Sequence, residues 1–364
     1  MKRMQKKIAI ITCYYQPDYV RAVTLRAALK AQPELEVIEI KNTQRGVMRY
    51  PEVLWKVVRA RAKLRPDAYL LTFRGQEILP AMLALTAGRP LWFDEFIVPA
   101  AYAKFEKHKR SPRTTAKHII SRLGEPLYNF CMRRCAKIVA DTQAHAELSA
   151  KMAGVNLSRY LALPVSADEA VFMPASSPKE EPFQVFYYSS NMQPLHGVPV
   201  VLEAAVQLQN DPVKFVLVGG KAPMRHAAQA AIKKGANVRY VEWMPLSDLA
   251  TTMHASQLCL GGPFGGTRQA RSVVTGKTYQ SLACGVATLI GEGEATRDLF
   301  VDRQNCLKVP QHDVSALTEA IRWAVAAGDT ELQKIGSAGR VLYDKEFSAQ
   351  ALADKIKPLT NSLS

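Results

Sequence analysis

Short apolar runs rich in β-branched residues alternate with longer stretches of helical periodicity along nearly the whole chain, and this rhythm constrains the fold most. In the first half the spacing predicts strands over Lys7–Cys13, Leu35–Ile40, Ala68–Phe73 and Pro90–Phe93. Helices over Asp18–Ala31, Tyr50–Leu64 and Ile78–Thr86 fall between them. A helix over Glu125–Arg134, a strand over Lys137–Ala140, a helix over Thr142–Met152 and a closing run at Arg159–Leu163 continue the order. The strands are apolar almost throughout rather than alternating, so both of their faces must be covered. That combination belongs to α/β proteins with a parallel sheet between helical layers.

The second half restarts the rhythm. Strands are expected at Phe183–Ser189, Lys214–Val218, Val238–Glu242, Leu258–Gly261 and Ala287–Ile290, with helices at Val198–Gln209, Ala227–Lys234 and Leu246–His254. Helices over Val314–Ala327 (capped by Asp313), Leu332–Glu346 and Ala349–Leu359 finish the chain. Between the halves, VFMPASSPKEEP at 171–182 has three prolines and no periodicity, which reads as a linker. The expected architecture is two Rossmann-like doubly wound domains, 1–170 and 183–345, facing across a cleft. A C-terminal helix in 346–364 is expected to pack back on the first domain. Ligands of such sheets sit beyond the carboxyl ends of the strands, which makes Tyr14–Asp18, Arg74-Gly75 and Asp94-Glu95 candidate site residues.

The charge is uneven. Of the +16 carried by 364 residues, residues 1–175 contribute +14 (29 Lys and Arg against 15 Asp and Glu) and the remainder +2 (19 against 17). A basic half beside a neutral one points to an anionic partner for the first half, nucleic acid or an acidic membrane surface. Residues 101–122 concentrate the effect, with seven Lys/Arg and two His against Glu106. They read either as a solvated basic loop leading into a helix or as an interfacial element dipping apolar residues into lipid. No apolar run approaches the ~20 residues of a membrane helix. IAIITCYY is short for the core of a secretory leader and reads as a buried strand. Six cysteines without a metal-type spacing read as buried thiols of a reducing compartment. The expected location is cytoplasmic, peripheral at the inner face of the membrane.

One stretch carries chemistry. GGPFGG at 261–266 opens onto TRQARSVVTGKTYQSLACG at 267–285, where a second turn with Gly276 precedes a helix ending at Gly285. Unpaired N–H groups and a positive dipole end at a helix start accommodate an anion, so a phosphate or diphosphate suits the two turns. Leu282 and Ala283 can face the core while Lys277 and Gln280 look back into the expected cleft.

Around this stretch the sequence resembles the nucleotide-sugar-binding domain of GT-B glycosyltransferases of the family-4 (group 1) type. The matching segments run in order: SSNMQPLHGVPVVLEAA, KFVLVGG, VRYVEWMPLSDLA, GGPFGGT with GKTYQSLACGVATLIG, and NCLKVPQHDVSALTEAI. LPVSADEAVFMP at 163–174 agrees more loosely. The chain also departs from the family. Ser272 and Gln280 stand where a pair of glutamates is usual, Asn191 and His196 replace the loop's Arg and Lys, and Tyr14-Tyr15-Gln16-Pro17 replaces an N-terminal Gly-Gly loop.

The resemblance implies a donor site formed by Asn191, Gly219, Trp243, Met244, Gly265, Gly266, Thr267, Tyr279 and Gln280. Its chemistry needs little acid–base machinery, because the main task is to stabilise charge growing on a diphosphate leaving group. Backbone N–H groups of Gly265, Gly266 and Thr267, the charge of Lys277 and a donor on His196 would do so. Asp94 or Glu95 would face the acceptor hydroxyl. No DxD motif occurs, so the reaction is expected to be independent of metal, and the only cofactor-like molecule is the UDP- or GDP-linked donor itself. The implied activity is a retaining hexosyltransferase acting on a glycan or lipid-linked acceptor in cell-envelope synthesis. A non-catalytic GT-B-like binding or scaffold protein is the alternative. A nucleic-acid-binding role is disfavoured, because the cations form no reader motif and aromatic interleaving is sparse.

Overall fold

The structure is a computed structural model and describes residues 5–97, 124–361 and 363. The basic 101–122 segment lies outside the described residues. The chain divides into two compact units, Met1–Val165 with Ala349–Ser364, and Ser166–Ser348.

The first unit holds a six-stranded parallel sheet of β1 (Lys6–Thr12), β2 (Leu35–Lys41), β3 (Ala68–Leu71), β4 (Leu91–Asp94), β5 (Lys137–Ala140) and β6 (Tyr160–Ala162) in the order β2-β1-β3-β4-β5-β6. The unbroken apolar character of β1 follows from its central place. Ala9 and Ile11 face Val53 and Val57 of the Arg49–Lys63 helix, while Ile8 and Ile10 face Leu25 and Leu29 of the Val20–Lys30 helix. The last helices complete that second layer: Leu352, Ile356 and Leu359 join the cluster of Ile8 and Leu25, and Gln32 Nε2 donates to the Ala353 carbonyl at 2.6 Å. The C-terminal segment therefore packs back on the first unit, as expected.

The second unit holds β7 (Phe183–Tyr188), β8 (Val213–Val218), β9 (Val238–Val241), β10 (Leu258–Leu260), β11 (Thr288–Gly291) and β12 (Leu307–Val309), all parallel, in the order β12-β11-β10-β7-β8-β9. Val185, Leu217, Leu260 and Leu289 pack against Val201, Leu317 and Ile321. Two local differences from the sequence reading have simple causes. The Lys221–Lys233 helix starts at the Gly219-Gly220 turn, six residues before the expected Ala227, because Pro223 is tolerated in a first turn. The stretch after residue 165 is tied down rather than free. Ser166 Oγ lies 3.1 Å from Tyr343 Oη, and Lys179 Nζ donates to the carbonyls of His254 and Ser256 at 3.0 and 2.7 Å. The boundary between units thus falls at 165/166.

Among the described residues no helix is long and apolar enough to cross a membrane, and no group of three His, Cys, Asp or Glu could hold a metal ion. All six cysteines are free and buried.

Candidate functional site

In the second sheet β7 is followed on one side by β8 and β9 and flanked on the other by β10, so the strand order reverses between β7 and β10. Loops leaving such a switch point diverge and leave room for a ligand. Here they are 189–197, after β7, and 261–267, after β10. They meet backbone to backbone. Gly197 is left-handed (φ 67°), and a Cβ there would lie 2.4 Å from the Phe264 carbonyl carbon. A Cβ on Gly265 would lie 1.9 Å from the Pro194 oxygen. Only glycine permits this closeness, and Gly265 N–H closes the contact by donating to Leu195 O at 3.0 Å.

That bond corrects one expectation. The Gly265 N–H is already spent inside the protein, so it is not an open donor for a diphosphate. Gly266 and Thr267 N–H donate to no group among the described residues. Thr267 caps the Arg268–Ser272 helix, its Oγ1 accepting from Ala270 N at 3.0 Å. Gly266 lies against His312.

The next helix, Gly276–Ala283, delivers Lys277 and Gln280 to the same place, three residues apart on one face. Lys277 is only 5% exposed, and no carboxylate among the described residues pairs with it. Its Nζ lies 3.3 Å from His196 Nδ1, 5.3 Å from the centroid of the Tyr187 ring and 6.0 Å from that of Tyr188. Burial pulls its pKa down to about 7. Burial, then the neighbouring Lys277, holds His196 well below the usual histidine range, so its imidazole is neutral. With Nδ1 turned to Lys277 as acceptor, the ring proton resides on Nε2, which leaves an N–H donor. Tyr187 Oη fixes the loop by donating to the His196 carbonyl at 2.9 Å. Tyr188 Oη donates to Gln280 Oε1, which fixes that amide. A buried amine without a carboxylate partner, beside a neutral donor and at a helix start, has the chemistry to receive an anion.

The other candidate residues distribute unevenly. Asn191 stays in the 189–197 loop, its Oδ1 accepting from Gln193 N at 3.1 Å. Gly219 ends β8, its N–H donating to Val241 O at 2.9 Å and its carbonyl accepting from Tyr240 Oη. Trp243 is 75% exposed after β9, and Met244 Sδ accepts from Thr252 Oγ1 at 3.8 Å. Tyr279 departs from expectation. It points to the other side of its helix, into an edge-on contact with Phe347 at 4.9 Å, because its neighbours in the helical turn take the loop-facing positions.

In the first unit the carboxylates at the end of β4 are also placed differently from the expected acceptor-facing role. Asp94 is wholly buried, its Oδ1 bound by Arg21 Nε and Nη2 at 3.0 and 2.8 Å and its Oδ2 by Phe73 N at 3.2 Å. Burial pushes its carboxyl up, and Arg21 opposes the push. The group is closed by its own partners and holds strands and helix together. Glu95, buried as well, accepts from Tyr128 Oη at 2.6 Å. Its Oε2 lies 3.9 Å from His145 Nε2, and neither atom has a hydrogen-bond partner. His145 Nδ1 meets Asp141 Oδ1 at 2.5 Å. Burial works against the charged imidazole, yet Asp141 outweighs it and the His145 pKa is raised. The Arg21–Asp94 pair, this acid–imidazole–acid row and the Tyr188–Gln280 bond were not foreseen from the sequence. An Asp and a His four apart (141 and 145) around a helix start was the one visible signal among them.

Two parallel six-stranded sheets with flanking helices, each in its own unit, are the architecture of the GT-B glycosyltransferases. Residues 183–327, within the second unit, match the family model described as glycosyl transferases group 1. Solved structures agree in fold over the full length. Sucrose-phosphate synthase from Thermosynechococcus elongatus superposes with a TM-score of 0.75 at 15% identity, covering 99% of each chain. HepE of Anabaena, solved in complex with UDP-glucose, gives 0.72 at 14% identity, covering 98% of this chain and 99% of that one. A glycosyltransferase from Rickettsia africae gives 0.69 at 11% identity, covering 99% and 98%. A search of the curated proteins finds no match.

Proposed function

We propose that the chain is a retaining glycosyltransferase that moves a hexose from a UDP- or GDP-linked donor to a glycan or lipid-linked acceptor in cell-envelope synthesis. The observation that carries this reading is Lys277, buried without a carboxylate beside His196 at the switch point of a group 1 domain. The HepE complex with UDP-glucose supports a nucleotide-sugar as the ligand of that place. In the reaction the bond from the anomeric carbon to the diphosphate breaks, and negative charge collects on the leaving oxygens. Lys277 supplies a positive charge there, His196 an Nε2–H donor, and Gly266 and Thr267 free backbone N–H groups. Trp243 offers an exposed ring for the base, and Gln280 holds the ribose side through its amide. The first unit takes the acceptor, and its positive charge suits a phosphate-bearing or membrane-borne one at the cytoplasmic face. The absence of a DxD pair in the sequence supports transfer without metal; activity abolished by EDTA and restored by Mg²⁺ would sink that clause.

A thermal-shift panel of UDP, GDP, ADP, TDP and their common sugars tests the donor reading. Stabilisation by one nucleotide, lost in Lys277→Ala, is expected. A flat response across the panel contradicts it.

One observation favours a second reading, a donor-binding protein without transferase activity. Gln280 brings no carboxylate, and one of the two lone pairs of its Oε1 already accepts from Tyr188, which weakens its hold on a ribose. A nucleotide-sugar bound but neither transferred nor hydrolysed would select it.

A further inference from the structure

The end of β4 in the first unit gathers ionisable side chains that the donor chemistry does not use. Four elements meet there. Glu95 follows β4, Asp141 follows β5, His145 sits in the first turn of the Gln143–Ala153 helix, and Tyr128 comes from helical residues 124–132. Backbone bonds fix two of the positions. Glu95 N–H donates to Val139 O at 2.8 Å, and His145 N–H donates to Thr142 Oγ1 at 3.0 Å. Glu95, Asp141 and His145 are each 2% exposed or less.

The outer contacts of the row are short. Tyr128 Oη donates to Glu95 Oε1 at 2.6 Å, and His145 Nδ1 meets Asp141 Oδ1 at 2.5 Å. The central contact is open. Glu95 Oε2 and His145 Nε2 face each other at 3.9 Å, both buried and both without a hydrogen-bond partner. Native interiors rarely leave such atoms unpaired, and two of them facing each other call for a reason.

That reason is the proton count of the imidazole. A carboxylate only accepts, so Nδ1 keeps a proton for Asp141, and Nε2 holds one only when the ring is charged. With that proton an N–H meets the Glu95 oxygen. Without it two lone pairs face each other away from water. The neighbours on every side set the balance. Asp141 and Glu95 favour the charged ring, and Arg21, paired with Asp94, opposes it. Burial keeps Tyr128, Tyr160 and Cys135 uncharged, and Ser149 Oγ bonds Tyr160 Oη at 2.8 Å. Burial also disfavours the imidazolium, yet Asp141 outweighs it and the His145 pKa stands above 6.5. Burial raises the Glu95 carboxyl from its ordinary 4.5, with His145 opposing. Both shifts make the folded unit hold a proton that the unfolded chain releases.

We propose that this row is a proton-linked latch, in which His145 with both ring protons ties Glu95 at the end of β4 to Asp141 at the end of β5, and loss of one proton lets Glu95 go. The first unit thereby senses pH on the alkaline side of 6.5. The latch goes beyond the donor reading and does not rest on it, since Lys277 and His196 belong to the second unit.

Amide hydrogen exchange of the full chain from about pH 6 to 9, corrected for intrinsic rate, tests the latch. The latch's stabilisation is fully present below 6.5 and is lost as pH rises through the folded pKa of His145. Protection of residues 91–95 and of the Gln143–Ala153 helix should therefore fall by up to about tenfold per pH unit between those two points. The strand Phe183–Tyr188 of the second unit is the reference and should not fall with them. Histidine NMR, with His145→Gln to identify the resonance, should place the His145 midpoint above 6.5 and show it lowered in Glu95→Gln. That variant keeps an oxygen for Tyr128 and loses only the charge. Protection at 91–95 that ignores pH, an equal fall in Phe183–Tyr188, a midpoint at or below 6.5, or one midpoint in both proteins overturns the latch. The exchange profile uses the wild type alone, so it decides even where a variant does not fold. A flat response to nucleotides would remove the transferase reading and leave this result standing.

Discussion

Lys277 Nζ lies 3.3 Å from His196 Nδ1, with both groups largely withdrawn from water and no carboxylate to balance the amine. The two are eighty-one residues apart in sequence, His196 in the loop after β7 and Lys277 on the Gly276–Ala283 helix, and meet where the strand order reverses between β7 and β10. A protein gains nothing in stability by burying an unpaired amine, which supports the proposal that the pair receives an anion.

The first consequence concerns stability. The unfolded chain holds the Lys277 proton up to its ordinary 10.5, the folded chain only up to about 7. The unfolded state therefore binds more protons across that window, and stability rises with pH through it. Lys277→Met removes the cost. At neutral pH it should stabilise the ligand-free protein by on the order of 2 kcal/mol, roughly 5 °C in Tm, while abolishing the shift with nucleotide. Calorimetric melts with and without nucleotide measure both; a destabilised variant would mean that the lysine serves the fold.

Affinity should carry the same signature. A diphosphate binds the protonated amine, so above pH 7 binding must take up a proton. The Kd of the preferred nucleoside diphosphate should rise by up to about tenfold per pH unit above that point in the wild type. Lys277→Arg, which keeps its charge, should flatten the profile. Titration calorimetry over pH 6.5 to 9, in two buffers of different ionisation heat, counts the proton; no uptake at pH 8 would contradict the assignment.

Gly265 tests the loop geometry. A methyl group there meets the Pro194 oxygen at 1.9 Å, a backbone atom that cannot swing aside. Gly265→Ala should cost at least about 2 kcal/mol and weaken nucleotide binding together with stability. Gly276→Ala is its control, because a Cβ there meets nothing within 4 Å. Urea denaturation of the two variants separates them, and equal stabilities would refute the close approach.

Arg21 and Asp94 form a fully buried pair, so breaking it from either side leaves a charge without a partner. Arg21→Met and Asp94→Ala should each cost about 3–5 kcal/mol, with the double variant losing less than the sum. If Asp94→Ala kept full stability and lost only transfer, the carboxylate would be acting on the acceptor after all.

The sheets were legible because a parallel strand buried on both faces must be apolar along its length, as Ile8–Ile11 and Val185–Tyr187 are. The turn-to-helix arrangement proposed to take an anion was legible from GGPFGG, Gly276 and Lys277. What lay outside the reach of pattern was pairing at a distance. Nothing local tells that Arg21 will close Asp94, that Leu195 will consume the Gly265 N–H, or that Tyr188 will occupy the acceptor of Gln280. Tyr279 was misplaced because helical spacing gives a residue's bearing relative to its neighbours, while the side that faces the loops depends on Phe347, far along the chain.

The most direct test of the Lys277–His196 site is release of nucleoside diphosphate from UDP- and GDP-sugars by the wild type and Lys277→Met, in the presence of a lipid extract as acceptor. The wild type should release one diphosphate at turnover, and Lys277→Met should be slower by ~100-fold or more, the scale on which a charge aimed at a leaving group acts. Equal rates in the two proteins, or no binding and no release from any nucleotide-sugar by the wild type, would contradict a donor site at Lys277 and His196.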